Sequence, residues 1–335
     1  MSSVGRDVND ETAFWKRELA EAIRDPAELV RLLRLPEQLG VVARTATAGF
    51  PFLVPRGFVA RMRQGDPKDP LLRQVLPVAA EQDEVAGWTA DPLGEQSKQL
   101  APGMIRKYRG RALLLVTPGC AVNCRYCFRR EFPHDEAATT HEWEAPLEAL
   151  STAADIDEVI LSGGDPLLVD DRRLERLVSR LEERSHVRRL RIHSRLPIVL
   201  PERVTNGLVS MIRGTRLSTI IVVHANHPAE IDASVERAVA RLADSRATVL
   251  NQSVLLAGVN DTVEVLTELS LKLIAIGILP YYLHLPDRVR GTAHFDVPEH
   301  RARVIHAALR DVLPGYAVPR LVREVPGDAS KRWIG

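Results

Sequence analysis

Cysteine is scarce in this chain. Among 335 residues there are three, Cys120, Cys124 and Cys127, all within "CAVNCRYC". So few, so closely spaced, do not make the disulfide framework of a small secreted domain. Long apolar runs are missing too, and nothing approaches the roughly 20 residues that a membrane span requires. The first segment, "MSSVGRDVNDETAFWKREL", lacks the apolar stretch of a secretory signal. Neither sign of charge dominates, since 45 Lys and Arg face 44 Asp and Glu, a formal net charge of +1. That balance gives no general argument for nucleic acid or a membrane as partner. The expectation is a cytoplasmic protein in a reducing compartment, where thiols stay free. Lysine is the last shortage. Only six of the 45 basic residues are lysines, so anion sites fall mainly to arginine.

What is present is an ordinary globular balance, 45% apolar and 27% charged. The length suits one large α/β domain with an appendage, or two domains. Residues 1–104 read as a mainly helical extension. In "ETAFWKRELAEAIRDPAELVRLLRL", Phe14, Leu19, Ile23, Leu29 and Leu32 recur at roughly helical spacings, with a break near Asp25-Pro26. No strand alternation stands out before residue 111. From there, short β-branched runs alternate with helix-length amphipathic segments. Strands are expected at 111–117, 158–163, 189–194, 219–225, 247–252 and 278–284. Helices are expected at 144–154, 171–184, 201–213, 228–243, 261–276 and 298–312. Apolar strands separated by helices make parallel β/α units. Six units fall short of the eight that close a barrel, so a partial (β/α)6 barrel is expected over 105–313. A short C-terminal segment, 314–335, follows it. No repeat or low-complexity tract is present.

In such folds the chemistry sits on loops after the strand C-termini. Each polar cluster falls there: the cysteines after the first strand, Ser162-Gly163-Gly164-Asp165 after the second, Ser194-Arg195 after the third. His224 ends the fourth, Asn251-Gln252 the fifth, and Asp287 follows the sixth. The cysteine spacing is Cys-x3-Cys-x2-Cys. Thiolates this close can wrap an iron–sulfur cluster, and three of them leave one iron of a cubane without a protein ligand. Two other readings of the thiols stay open: a zinc site completed by His134 or His141, and buried thiols without metal.

This cysteine motif after the first strand of a β/α array resembles the radical S-adenosylmethionine enzymes. Tyr126 before the third cysteine and "SGGDP" at 162–166 add to the likeness. The resemblance implies a 4Fe-4S cluster on Cys120, Cys124 and Cys127, whose open iron holds S-adenosylmethionine and which, when reduced, cleaves it to a 5′-deoxyadenosyl radical. Residues from about 50 to 331 are similar to the lysine 2,3-aminomutase subgroup, through "DPLGEQ", "CRYCFRR", "LSGGDPLL", "RIHSRLPIVLPERV", "HANHPAE", "NQSVLLAGVND", "PYYLH" and "PGYAVP". That likeness implies a second cofactor, pyridoxal 5′-phosphate, on Lys331 in "PGDASK", where this chain lacks the subgroup's run of glycines. Arg195, Lys107, Tyr108 and Arg111 match residues around the cofactor's phosphate. Ser162, Gly163, Gly164, Asp165, His224, Asn226 and Gln252 match the S-adenosylmethionine region. Arg129 matches the arginine for the substrate α-carboxylate. Asp287 and Glu324 match two acids for the ε-ammonium, with Glu324 one methylene longer than the subgroup's aspartate.

The short tail, "REVPGDASK" and "AHF" at 293–295 resemble the branch that makes (R)-β-lysine for elongation factor P. The implied partners are L-lysine and the elongation factor P modification pathway, with neither nucleic acid nor membrane, and a homo-oligomer is compatible. Other readings are a free lysine 2,3-aminomutase, an aminomutase for another amino acid, a radical enzyme lacking pyridoxal phosphate, and a zinc-stabilised binding protein.

Overall fold

The structure, a computed structural model of the chain, describes residues 8–133 and 143–335. Its spine is one ten-stranded sheet whose spatial order follows the chain. The strands are β1 (Gln99–Ala101), β2 (Met104–Tyr108), β3 (Arg111–Thr117), β4 (Glu158–Gly163), β5 (Arg189–Ser194), β6 (Ser218–Val223), β7 (Thr248–Val254), β8 (Leu279–His284), β9 (Arg320–Arg323) and β10 (Arg332–Trp333). Neighbours from β3 to β9 run parallel. The outer strands β1, β2 and β10 join antiparallel. The first and last strands are not paired, so the barrel is open.

The six expected strands are β3–β8. Their apolar residues are enclosed, as at Leu161, Leu190, Ile192 and Ile221, by helices on the outside. Helices Glu144–Thr152, Asp171–Glu182, Asn206–Gly214, Ala233–Asp244, Val263–Ala275 and Glu299–Val312 supply the crossovers. Two begin later than their apolar period suggests, because a capping side chain sets the start. Thr205 Oγ1 accepts from Leu208 N at 3.1 Å, and Asp232 Oδ1 accepts from Ser234 N and Val235 N at 3.0 Å. The prolines at 201 and 228 open single 3-10 turns instead.

Four strands lie outside the expectation. β1 and β2 form a hairpin across the boundary at residue 104, where the region read as helical ends, turned by Gly103 at φ 80°. β2 is "MIRKY", too short and too charged to display its alternation. β9, "RLVR", adds a seventh parallel strand, and β10 pairs with it. Both are too brief to register as a periodic pattern.

The helices Val8–Ala20, Pro26–Leu32 and Glu37–Ala46 precede the sheet. Asp25 caps the second by accepting from Ala27 N at 3.0 Å, which accounts for the break at Asp25-Pro26. Trp15, Leu29, Phe58, Leu71 and Leu72 join the same buried cluster as the strands. Among the described residues, no helix is long and apolar enough to cross a membrane.

This N-terminal region also grips the cysteine loop. Asn123 N donates to Leu53 O and Arg125 N to Gln74 O, each at 2.9 Å. The fully buried Arg125 donates through Nε to Glu81 Oε1 and through Nη1 to Pro51 O, again at 2.9 Å. Arg130 Nη2 reaches Glu81 Oε2 at 2.7 Å. Removing one partner of a buried ion pair strands the other charge. Glu81→Ala is therefore expected to lower the unfolding free energy by about 3–5 kcal/mol, read from the urea midpoint. A midpoint equal to wild type would mean that this clamp holds nothing.

Candidate active site

The loops after the parallel strands, together with Glu95, β2 and the C-terminal segment, enclose a cavity of about 870 Å³. Every residue singled out in the sequence as a site candidate lines it. So do Glu95, Arg191, His193, Tyr281, Tyr282 and His284, which lie within the stretches quoted above but were given no role there. His134 and His141 lie outside the described residues.

One end of the cavity belongs to the cysteines. None of the three forms a disulfide. Burial, with the neighbouring thiols, pushes the Cys127 thiol up to about 11 and Cys120 well above its ordinary value. Such thiols keep their protons until a cation displaces them. Among the described residues, no three His, Cys, Asp or Glu side chains converge tightly enough for a single metal ion. A cluster makes a different demand, since each cysteine meets its own iron. The donor set therefore fits a cluster, with three thiols on one loop.

That loop is pressed against the end of β4. Gly164 N donates to Thr117 O and Asp165 N to Gly119 O, both at 2.8 Å. A Cβ on Gly164 would stand 2.0 Å from Gly119 O, and Gly163 has φ +116°. Only glycine permits this approach. Asp165 is buried and fully engaged. Its carboxylate accepts from Ser194 Oγ and Arg195 N at 2.7 Å, from Leu167 N at 3.1 Å and from Leu196 N at 3.2 Å. It ties the ends of β4 and β5 together.

Arg195 lies at this same end. It donates through Nη1 to Cys124 Sγ at 2.7 Å and to the Tyr126 hydroxyl, and through Nη2 to Gln74 Oε1 at 2.8 Å. Arg195 lines the same cavity as Lys107, Tyr108 and Arg111, the other residues expected around one phosphate. Its Nη2 also donates to the buried Glu230 carboxylate at 3.3 Å. Asn226 Nδ2 also reaches the Tyr126 hydroxyl at 2.7 Å. His224 Nε2 lies 3.1 Å from Gln252 Nε2, and its ring meets His193 edge-on with centroids 5.8 Å apart. Burial, then the Arg195 charge, lowers His224 to about 3, so the imidazole is neutral.

From the cysteine loop a chain of alternating charges runs along the cavity. Arg129 Nη1 donates to Ser162 Oγ at 3.0 Å, while its Nε and Nη2 grip Glu95 at 2.7 and 2.9 Å. Glu95 also accepts from Lys107 Nζ at 3.3 Å. Lys107 pairs in turn with Glu324, whose second oxygen accepts from Lys331 Nζ at 2.6 Å. Burial alone would raise Glu324, but Lys331 and Lys107 outweigh it and hold the carboxyl far below its usual range. At Asp287 the same two lysines do not outweigh the opposing effects. Burial first, then the Glu324 charge, brings it up to about 7.

In the same cavity, several buried polar atoms have no protein partner: Arg111 Nε, His193 Nε2 and His284 Nε2. Native structures rarely strand such atoms. The Arg111 guanidinium lies 4.8 Å from the Tyr108 ring centre. Unpartnered polar atoms in the cavity that Lys331 also lines fit a polar, anionic cofactor.

The sequence model of the Radical SAM superfamily matches residues 114–207. An L-lysine 2,3-aminomutase of Escherichia coli (strain K12) is 46% identical over 95% of this chain and 93% of its own. One of Haemophilus influenzae is 43% identical over 95% of this chain and 94% of its own. One of Clostridium subterminale is 34% identical over 97% of this chain and 79% of its own. A solved radical SAM methyltransferase from Sphaerobacter thermophilus aligns over 66% of this chain and 68% of its own, at 17% identity and TM-score 0.45, too loosely to carry weight.

The glycine contact at the cysteine loop can be tested directly. Gly164→Ala should abolish the iron–sulfur absorbance obtained on anaerobic reconstitution, because the methyl group displaces Gly119. Gly214→Ala, where a Cβ meets nothing within 4 Å, should leave it unchanged.

Proposed function

Because the chain belongs to the lysine 2,3-aminomutase family of radical S-adenosylmethionine isomerases, we propose that it converts L-lysine to (R)-β-lysine with the help of pyridoxal phosphate, for the modification of elongation factor P. The observation that carries the reaction is one cavity lined both by three free thiols and by a lysine within an acid-rich ion chain. The stereochemistry and the purpose of the product rest on the tail motif around "REVPGDASK".

The cluster and S-adenosylmethionine would supply hydrogen-atom abstraction, and pyridoxal phosphate would carry the nitrogen as it moves to the neighbouring carbon. Cys120, Cys124 and Cys127 hold the cluster. Gly163, Gly164, His224, Asn226 and Gln252 border S-adenosylmethionine, with His224 neutral and so able to accept a hydrogen bond. Lys331 holds pyridoxal phosphate. Arg111, with its stranded Nε, and Tyr108 face the phosphate. Lys107 is already shared between two glutamates and acts as their common counter-ion. Arg195 serves the cysteine loop.

Substrate binding follows from charge balance. Arg129 takes the α-carboxylate. Lys331 pairs with Glu324 here, and that pair would be given up when Lys331 holds the cofactor. Glu324 and Asp287 then hold negative charge in a buried place, which a substrate ammonium restores to balance. Anchored at both ends and shut away from water, the lysine presents its β-carbon in a fixed place.

Anaerobic reconstitution with iron, sulfide and pyridoxal phosphate, followed by lysine, S-adenosylmethionine and reductant, is expected to yield β-lysine. Lys331→Ala should yield none. No β-lysine from the wild-type protein would end this reading, and chiral chromatography with an elongation factor P acceptor assay decides the finer part. The pH profile carries a second expectation. Asp287 is neutral below about 7 and charged above it, and only the charged form attracts an ammonium. KM for lysine should therefore rise as pH falls through 7. Asp287→Asn should raise KM about 10- to 100-fold at pH 8 and flatten that limb.

A further inference from the structure

Glu95 is the one acid of the ion chain that no sequence motif assigned to a role. It is 2% exposed and comes from the segment between the N-terminal helices and β1. An arginine carries five N–H donors. Arg129 commits Nε and one N–H of Nη2 to Glu95, and one N–H of Nη1 to Ser162. What remains is one N–H on each terminal nitrogen. Two parallel donors are what a carboxylate accepts in a bidentate pair. The Glu95 grip therefore fixes the rotation of the guanidinium plane and still leaves the donors that a carboxylate ligand would use.

The same carboxylate reaches further. Its Oε1 accepts from both Arg129 Nη2 and Lys107 Nζ, and Lys107 pairs with Glu324. Arg129 and Glu324 are thus the two ends of a single run, Arg129–Glu95–Lys107–Glu324. These are also the residues proposed for the two ends of the substrate. Loosening the middle of the run would let the two anchors change their separation.

We propose that Glu95 is a positioning residue that orients Arg129 toward the substrate carboxylate and, through Lys107, sets its distance from Glu324, so that the site measures the length of a diamino acid. This rests on the reading of Arg129 as the carboxylate anchor. The ligand class is an α-amino acid with a terminal ammonium at a fixed number of methylenes. L-ornithine, one methylene shorter than L-lysine, is the probe of that length.

The test uses the reconstituted holoenzyme without reductant, so that binding is measured apart from turnover. Calorimetry gives the dissociation constants of L-lysine and L-ornithine for the wild type, Glu95→Gln, Glu95→Asp and Arg129→Lys. Iron and pyridoxal phosphate contents are measured on each. Glu95→Gln replaces an acceptor by an amide that opposes an Arg129 N–H. It is expected to weaken lysine about 10- to 100-fold, the scale on which a misplaced anchor acts. It should weaken ornithine far less, so that the preference for lysine falls at least several-fold. Both cofactors should stay at wild-type content, and Glu95→Asp, which keeps the charge, should recover part of the loss.

Equal weakening of both ligands by Glu95→Gln would overturn the proposal, as would an unchanged preference. Loss of either cofactor from Glu95→Gln would also overturn it, since the side chain would then be structural. If Arg129→Lys weakens lysine while Glu95→Gln does not, the carboxylate anchor stands and the role of Glu95 falls. If Arg129→Lys binds lysine as the wild type does, the anchor itself is wrong.

Discussion

A charge taken out of water has to be answered by an opposite charge close by. Five charges meet that demand around one cavity: Glu95 and Glu324 against Arg129, Lys107 and Lys331. They come from distant parts of the chain and answer one another in a single run of ion pairs. The sheet shows what depends on this. Its edges do not pair, so no backbone ladder joins β2 to β9. Lys107 on β2 and Glu324 just after β9 join across that gap as an ion pair instead. A bridge between Thr89 and Val289 adds a short backbone contact nearby. The barrel is open in its hydrogen bonds and closed in its charges.

The cysteine end obeys a different constraint, close packing of backbone. Gly163 and Gly164 let the end of β4 lie directly on the loop that begins at Gly119. Asp165, with four donors on its carboxylate, holds the next turn to β5. Rigid placement there comes from atoms that are absent as much as from those present. The end proposed for the substrate is held by long side chains, and so its geometry is set by electrostatics rather than by shape.

How far the sequence was readable follows from these two kinds of order. β3–β8 were legible because each is a buried apolar run flanked by an amphipathic helix, and both periods survive in the sequence. β1, β2, β9 and β10 were not, being two to five residues long and, β1 apart, rich in arginine or lysine. The cysteines and the glycine turn are local motifs, so their neighbours could be read off directly. For Glu95 the stretch "DPLGEQ" marks a place but not a partner, since Arg129 lies 34 residues away. Arg195 illustrates the intermediate case. Its place after the third expected strand was correct, but only the fold shows that Glu230 and Cys124 are its neighbours. Sequence order tells which strand end a residue occupies, not which way a long side chain leans.

Because strand order in the sheet equals strand order in the chain, the sheet can grow by adding each new strand to one edge. A chain emerging from the ribosome folds N-terminal parts first. Its cysteine loop is then settled early, against β4. Lys331 comes last, beside the two-residue β10, and Ile334 just beyond it is buried with N donating to Leu321 O at 2.9 Å. The Lys331 amine thus reaches the cavity from beside a strand far along the chain from the cysteine loop, and only the sheet between them brings the two together.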